Sequence, residues 1–253
     1  MFFTIFLIIS IPKIWTYDYS KVCPLHLEQH TLVLYPNCSL SGACRLKTQI
    51  PFRQYQKDLL IHLHNDFRSK VAVGKILWQP TAANMNLLQW SNELEYIAQC
   101  WANQCIVGSD SCRDIYQGYV GQNYGVTRHV CDPQFATSDM AIYELIQWWT
   151  NEHHYFESNL VGMYKTPECG LESKTRNYTQ LVWAETYKVG CARVLFEENG
   201  VTQAIIFCNY FPGGNLIGKP VYKRGLPASD CSPTRCPSKT YPGLCKLRVP
   251  EKV

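Results

Sequence analysis

Two observations predict an α+β fold with layered packing: helical periodicity dominates up to about residue 156, and β-branched and aromatic runs around a hairpin turn dominate from about residue 178. A third, 13 cysteines in 253 residues, says that the layers are cross-linked. Tyr55, Leu59, Leu63, Phe67 and Val71 recur every fourth residue, which predicts a helix from about Gln54 to Val73. Lys57, Asp58, Asn65 and Arg68 are expected on its other face. Leu87, Trp90, Leu94, Ile97 and Trp101 alternate three and four apart. Asn92 and Glu95 have capping-box spacing, so a second helix is expected to start near Ser91. A third should run from about Ser138 to Phe156, with Ile142, Leu145, Ile146 and Trp149 inward.

Tyr178 to Trp183, Val189 to Phe196 and Val201 to Tyr210 read as strands, and Asn199-Gly200 is a two-residue turn suited to a type I′ hairpin. Centring the hairpin there sets Glu198 opposite Val201 and, stepping outward, Cys191 opposite Cys208 in a non-hydrogen-bonded pair. Side chains are closest in such pairs, so spacing alone predicts a Cys191–Cys208 disulfide.

Residues 1–16 contain an apolar run from Phe2 to Ile11, well short of the ~20 residues that span a bilayer, and are read as a secretory signal peptide. With the cysteine load, this predicts a secreted, extracellular protein without a transmembrane segment. The odd cysteine count leaves at least one without an intrachain partner. Residues 17–49 form a disulfide-rich N-terminal arm, 50–222 the main domain, and 223–253 a Pro- and Cys-containing tail with Cys231, Cys236 and Cys245. A net charge of +4, with only 17% charged residues and no basic stripe, argues against nucleic acid as a partner.

The stretch Arg176-Asn177-Tyr178-Thr179-Gln180-Leu181-Val182-Trp183, followed by Cys208-Asn209-Tyr210-Phe211-Pro212-Gly213-Gly214-Asn215, resembles the paired signature of the CAP superfamily. This group includes plant pathogenesis-related proteins, cysteine-rich secretory proteins and insect venom antigen 5. His64-Asn65-Asp66-Phe67-Arg68, Trp101-Ala102-Asn103-Gln104-Cys105, Cys112-Arg113-Asp114 and Gly121-Gln122-Asn123 resemble antigen 5 landmarks in the expected order. The resemblance implies a CAP α-β-α sandwich, three layers with a small antiparallel sheet between helices. It also implies that the arm is tied down through Cys23–Cys112 and Cys38–Cys105, and leaves Cys44, Cys100, Cys131 and Cys169 without obvious equivalents.

A CAP cavity typically presents two histidines and two glutamates, a set suited to zinc. Aligning the motifs puts Ser109 and Asn177 where histidines are usual and Gln122 where a glutamate is usual, while Glu152, three residues after Trp149, retains its type. One carboxylate among three neutral groups is a degenerate cavity with no metal or other cofactor expected, the quartet serving as a hydrogen-bonded cluster. Replacement of a lost ligand by His153 or His154 is the competing reading, weakened because adjacent helical residues point about a hundred degrees apart. Asn37-Cys38-Ser39 and Asn177-Tyr178-Thr179 are N-glycosylation sequons, and a glycan on Asn177 would block the cleft.

No Gly-x-Ser-x-Gly elbow or His-Glu-x-x-His helix is present, so no catalytic residue is assigned. His62 and His64 are expected as a surface residue and a structural hydrogen-bonding residue. Three functions are weighed: a non-enzymatic monomer of venom, saliva or body fluid acting through its surface on a host or receptor protein, an extracellular carrier of sterol or fatty acid, and a weak hydrolase or protease. The first is favoured, because a cross-linked shell with a disabled cavity suits the display of loops such as 157–174.

Overall fold

A computed structural model describes residues 17–23, 30–44, 49–128, 134–165, 174–198 and 200–248. The expected signal peptide, Cys131, Cys169 and part of the 157–174 loop lie outside them. The elements follow as α1 (Thr31–Leu34), α2 (Gln54–Ala72), β1 (Gln89–Trp90), α3 (Asn92–Ala102), β2 (Gly121–Arg128), α4 (Asp139–Asn151), α5 (Arg176–Leu181), β3 (Lys188–Glu198), β4 (Val201–Phe211), β5 (Arg235–Pro237) and β6 (Cys245–Leu247).

The central sheet has the order β1-β3-β4-β2. It is mixed, because β1 runs parallel to β3 while β3, β4 and β2 are antiparallel. The expected antiparallel sheet is thus present as β3, β4 and β2, with the two-residue β1 added in parallel at its edge. Period-two alternation divides β4 between two cores. Ile206, Cys208 and Tyr210 face a cluster holding Leu60, Val71, Ile142, Leu145, Trp149 and Leu181 from α2, α4 and α5. Ile205 and Phe207 face Ala98, Trp101 and Ala102 of α3. Three layers follow directly from a strand buried on both sides.

The hairpin register is as spacing dictates: Glu198 pairs with Val201, Cys191 with Cys208, and the latter two form a disulfide with Cα atoms 4.0 Å apart. Ser91 caps α3 by accepting from the Leu94 amide at 3.4 Å. Other expectations need correction. Tyr178–Trp183 is not a strand: α5 spans most of it, and Thr179 Oγ1 lies 3.0 Å from the Thr175 carbonyl one turn back. β-propensity only reports fit to a pleated surface, and here tertiary contacts override it. The third helix stops at Asn151 and tightens into a 3-10 turn over Glu152–Tyr155.

On α2 the polar residues Asn65 and Arg68 are buried, whereas Tyr55 is exposed. Asn65 exchanges two hydrogen bonds with the backbone of Leu88, at 3.0 and 2.9 Å. Arg68 donates to the carbonyls of Asn86, Leu181, Trp183, Ala184 and Thr186, clamping the turn between α5 and β3. Burial pulls its guanidinium pKa down to about 9. Five carbonyl partners oppose that by stabilising the charged form.

The arm is tied down through Cys23–Cys112. The implied Cys38–Cys105 pairing is corrected: Cys38 bonds Cys100 and Cys44 bonds Cys105. Cys100 and Cys105 lie near the C-terminal end of α3, and the arm brings one cysteine to each. In the tail Cys231 bonds Cys245, and Cys236 is free. Among the described residues no helix is long and apolar enough to cross a membrane.

Candidate functional site

The cavity forms where β2, α5 and the loop before Cys112 meet. Two close approaches hold the neighbouring elements on the sheet. A Cβ at Gly121 would lie 1.9 Å from Gln180 Oε1, so a side chain there would displace Gln180 from its place between α5 and β2. A Cβ at Gly190 would lie 2.2 Å from the Glu95 amide nitrogen, which is how the first turn of α3 reaches the sheet. The resulting space of about 240 Å³ is lined by Ser109, Gln122, Tyr124, Arg176 and Asn177.

Three of the four positions aligned from the sequence therefore converge: Ser109 and Asn177 at the exposed and half-exposed parts, Gln122 buried. Glu152 stands behind Asn177. Its carboxylate accepts from Asn177 Nδ2 at 2.6 Å and from the Tyr178 amide at 2.9 Å. Burial raises the Glu152 pKa, opposed by these two donors.

A relay fixes the buried amides. The Leu94 carbonyl can only accept, so it orients Asn209 through Nδ2 at 3.2 Å. Asn209 Oδ1 then accepts from Gln122 Nε2 at 2.9 Å, which leaves Gln122 Oε1 without a protein partner. Asn123 repeats the pattern: Nδ2 donates to the Asn177 carbonyl at 2.9 Å and Oδ1 is unpartnered. Sequence reasoning did not assign Tyr124, Arg176 and Asn209 to this site. Asn209 lay in plain view inside the second signature, on the strand paired to Gln122.

These residues do not fit a zinc ion. The single carboxylate has both oxygens engaged, the Asn177 amide nitrogen is turned toward it, and serine and glutamine are weak neutral donors. His153 is tied elsewhere, with Nδ1 donating to the Thr150 carbonyl at 2.8 Å and its ring beside Phe67 and Tyr178. His154 is exposed and packs on His153 with ring centroids 3.9 Å apart. A second cluster at ligand spacing, Cys23, His30 and Cys112, consists of a disulfide beside an imidazole bonded to Leu32 N and the Asp114 carbonyl.

His62 is exposed and bonds Tyr241, while His64 is buried between the Leu60 carbonyl and the Tyr210 hydroxyl, at 2.7 and 2.8 Å. Burial lowers the His64 pKa to about 4. Of the sequons, Asn37 is exposed. Asn177 is half-buried with its Nδ2 on Glu152, and Thr179 is fully buried with its hydroxyl 2.6 Å from Asn215 Oδ1.

A family model described as the cysteine-rich secretory protein family, CAP, matches residues 61–210. Venom allergen 5 of Rhynchium brunneum is 36% identical over 81% of this chain and 90% of its own length. Venom allergen 3 of Solenopsis invicta is 34% identical over 79% and 86%. Among solved structures, BmVAL-1 matches with a TM-score of 0.62 at 29% identity, covering 78% of this chain and 97% of its own. NaASP2, solved with Zn2+, matches with a TM-score of 0.58 at 25% identity, covering 80% and 99%.

Proposed function

We propose that this chain, which belongs to the cysteine-rich secretory protein (CAP) family, is a secreted, non-enzymatic, venom-allergen-like protein that acts through its surface on an extracellular target. One observation carries the reading. The one carboxylate at the cavity is spent on Asn177 and the Tyr178 amide, so the cavity is a hydrogen-bonded structural cluster with no free set of metal donors. Secretion is supported by five disulfides among the described residues and by relatives named as venom allergens.

Against hydrolysis, no histidine among the described residues hydrogen-bonds a serine, threonine or cysteine side chain, the pairing that activates a nucleophile. Against carriage of a sterol or fatty acid, the cavity offers two amides, two hydroxyls and a guanidinium, with Tyr124 as its one aromatic ring, where a mostly apolar lining is needed. Glycosylation is proposed at Asn37, where the side chain is free to carry a glycan; the Asn177 amide is committed to Glu152.

Calorimetric titration of the secreted protein with zinc should give no heat of specific binding. Replacing Ser109→His, Gln122→Glu and Asn177→His together should create measurable binding, because it supplies two imidazoles and a second carboxylate. Zinc binding by the natural chain that disappears in Glu152→Gln overturns the reading of the cavity. Glycopeptide mass spectrometry reads the two sequons.

A further inference from the structure

Three loops meet at one rim of the molecule. Gln79, after α2, donates Nε2 to the Phe156 carbonyl at 3.0 Å and reaches the His153 carbonyl at 3.4 Å. The Gly225 amide donates to the Thr81 carbonyl at 3.2 Å, and Arg224 donates to the Ser158 carbonyl. These loops expose large apolar side chains: Leu77 at 69%, Trp78 at 79%, Tyr155 at 60% and Leu226 at 77%. Scattered single exposures are ordinary, whereas a group on bonded neighbouring loops marks an interaction site.

Trp78 adds a second, independent oddity. The Gln79 amide bonds the Ile76 carbonyl at 3.2 Å and Trp78 has φ +68°, while Leu77 is not in the positive-φ region. That is a type II turn with tryptophan at the position suited to glycine or asparagine. A bulky residue in the left-handed region is strained, and the exposed indole has little packing to offset it. The turn thus holds its largest apolar side chain outward at a cost to the folded state.

The surrounding charge is basic. Lys75 and Arg224 are exposed, and Lys174 lies 5.7 Å over the Tyr155 ring. Lys223 is paired with Asp230 at 2.6 Å, and Glu157 is an exposed acid among the described residues of these loops. A protruding aromatic and aliphatic turn with a cationic rim matches a bilayer surface: indole and phenol rings settle at the headgroup level, leucine enters the acyl boundary, and ammonium and guanidinium groups face anionic headgroups.

We propose that the Leu77–Trp78 turn, with Tyr155 and the basic rim, docks this protein on anionic lipid surfaces. This goes beyond the reading of the cavity and stands whether or not that reading holds. The test is flotation of the full secreted protein with vesicles of phosphatidylcholine alone and of phosphatidylcholine with phosphatidylserine. Partition onto the anionic vesicles should exceed that onto the neutral ones. The double substitution Leu77→Ser, Trp78→Asn should lower it at least about tenfold, with a thermal melt confirming that the fold is retained. Lys75→Gln and Lys174→Gln should each lower it about fivefold on anionic vesicles only. Trp78→Phe should keep most of the partition but lose the blue shift of tryptophan fluorescence on binding. The proposal is overturned if the natural chain floats with neither vesicle, or if the double variant floats as well as the natural chain. Retention on protein-bearing cell membranes with none on protein-free vesicles also overturns it, in favour of a protein partner.

Discussion

Two buried polar clusters meet at Tyr210 and are finished to different degrees. On the α2 side, His64 uses both ring nitrogens, Asn65 uses both amide atoms, and Arg68 spends all three nitrogens on main-chain carbonyls. On the β2 side, Gln122 and Asn123 each leave an acceptor without a protein partner. Tyr210 touches both, with its hydroxyl 2.8 Å from His64 Nε2 and 3.5 Å from Asn123 Nδ2. The satisfied cluster holds the sandwich in one arrangement. The other holds two buried amide oxygens with no protein donor to meet them.

The largest expected break in that contrast is Arg68→Met. It removes the partner of five buried carbonyls and should destabilise the fold by about 3–5 kcal/mol in urea denaturation. A loss under about 1 kcal/mol would mean that water replaces the guanidinium and that the clamp is dispensable.

Next comes acid. His64 is lowered from 6.5 to about 4 in the fold, so on acidification the unfolded chain binds a proton that the native chain does not. Its contribution is complete above pH 6.5 and declines as pH falls toward 4. It should amount to about 2 kcal/mol between pH 7 and pH 5. Denaturation of the natural chain and of His64→Gln at both pH values should show a shallower pH dependence in the variant.

Smallest is Gln122→Met, which deletes one hydrogen bond and one unpartnered acceptor together. Its effect should stay within about 1 kcal/mol of zero. A loss as large as that of Arg68→Met would erase the distinction between the clusters.

Legibility in the sequence followed range. The hairpin and its disulfide were readable because turn chemistry and period two act between neighbours, and α3 because its apolar residues alternate three and four apart, although its cap is Ser91 and not the Asn92–Glu95 box. The burial of Asn65 and Arg68 was not readable: hydrophobic periodicity has no symbol for a polar residue whose partners lie some 20 to 120 positions away. The implied Cys38–Cys105 pairing failed for a related reason. Cys100 and Cys105 flank one helix turn and a half, and only the path of residues 38 to 44 decides which cysteine each receives. β2 was missed because Gly121–Arg128 lacks the apolar alternation of a strand and is stitched in by β4. Of the cavity, Ser109, Gln122 and Asn177 were placed together by motif, while Tyr124, Arg176 and Asn209 required the register.

The tail has a consequence for how the molecule is made. The Cys245 amide donates to Met85 and its carbonyl accepts from Leu87, on either side of the Asn86 carbonyl that Arg68 holds. Leu244 and Cys245 are fully buried, and Leu244 belongs to the principal core. A ribosome therefore releases residues 68 and 85–87 long before their last neighbours exist. The contacts that residues 85 and 87 make with Cys245, and those of the core with Leu244, can form only once residue 245 has been made.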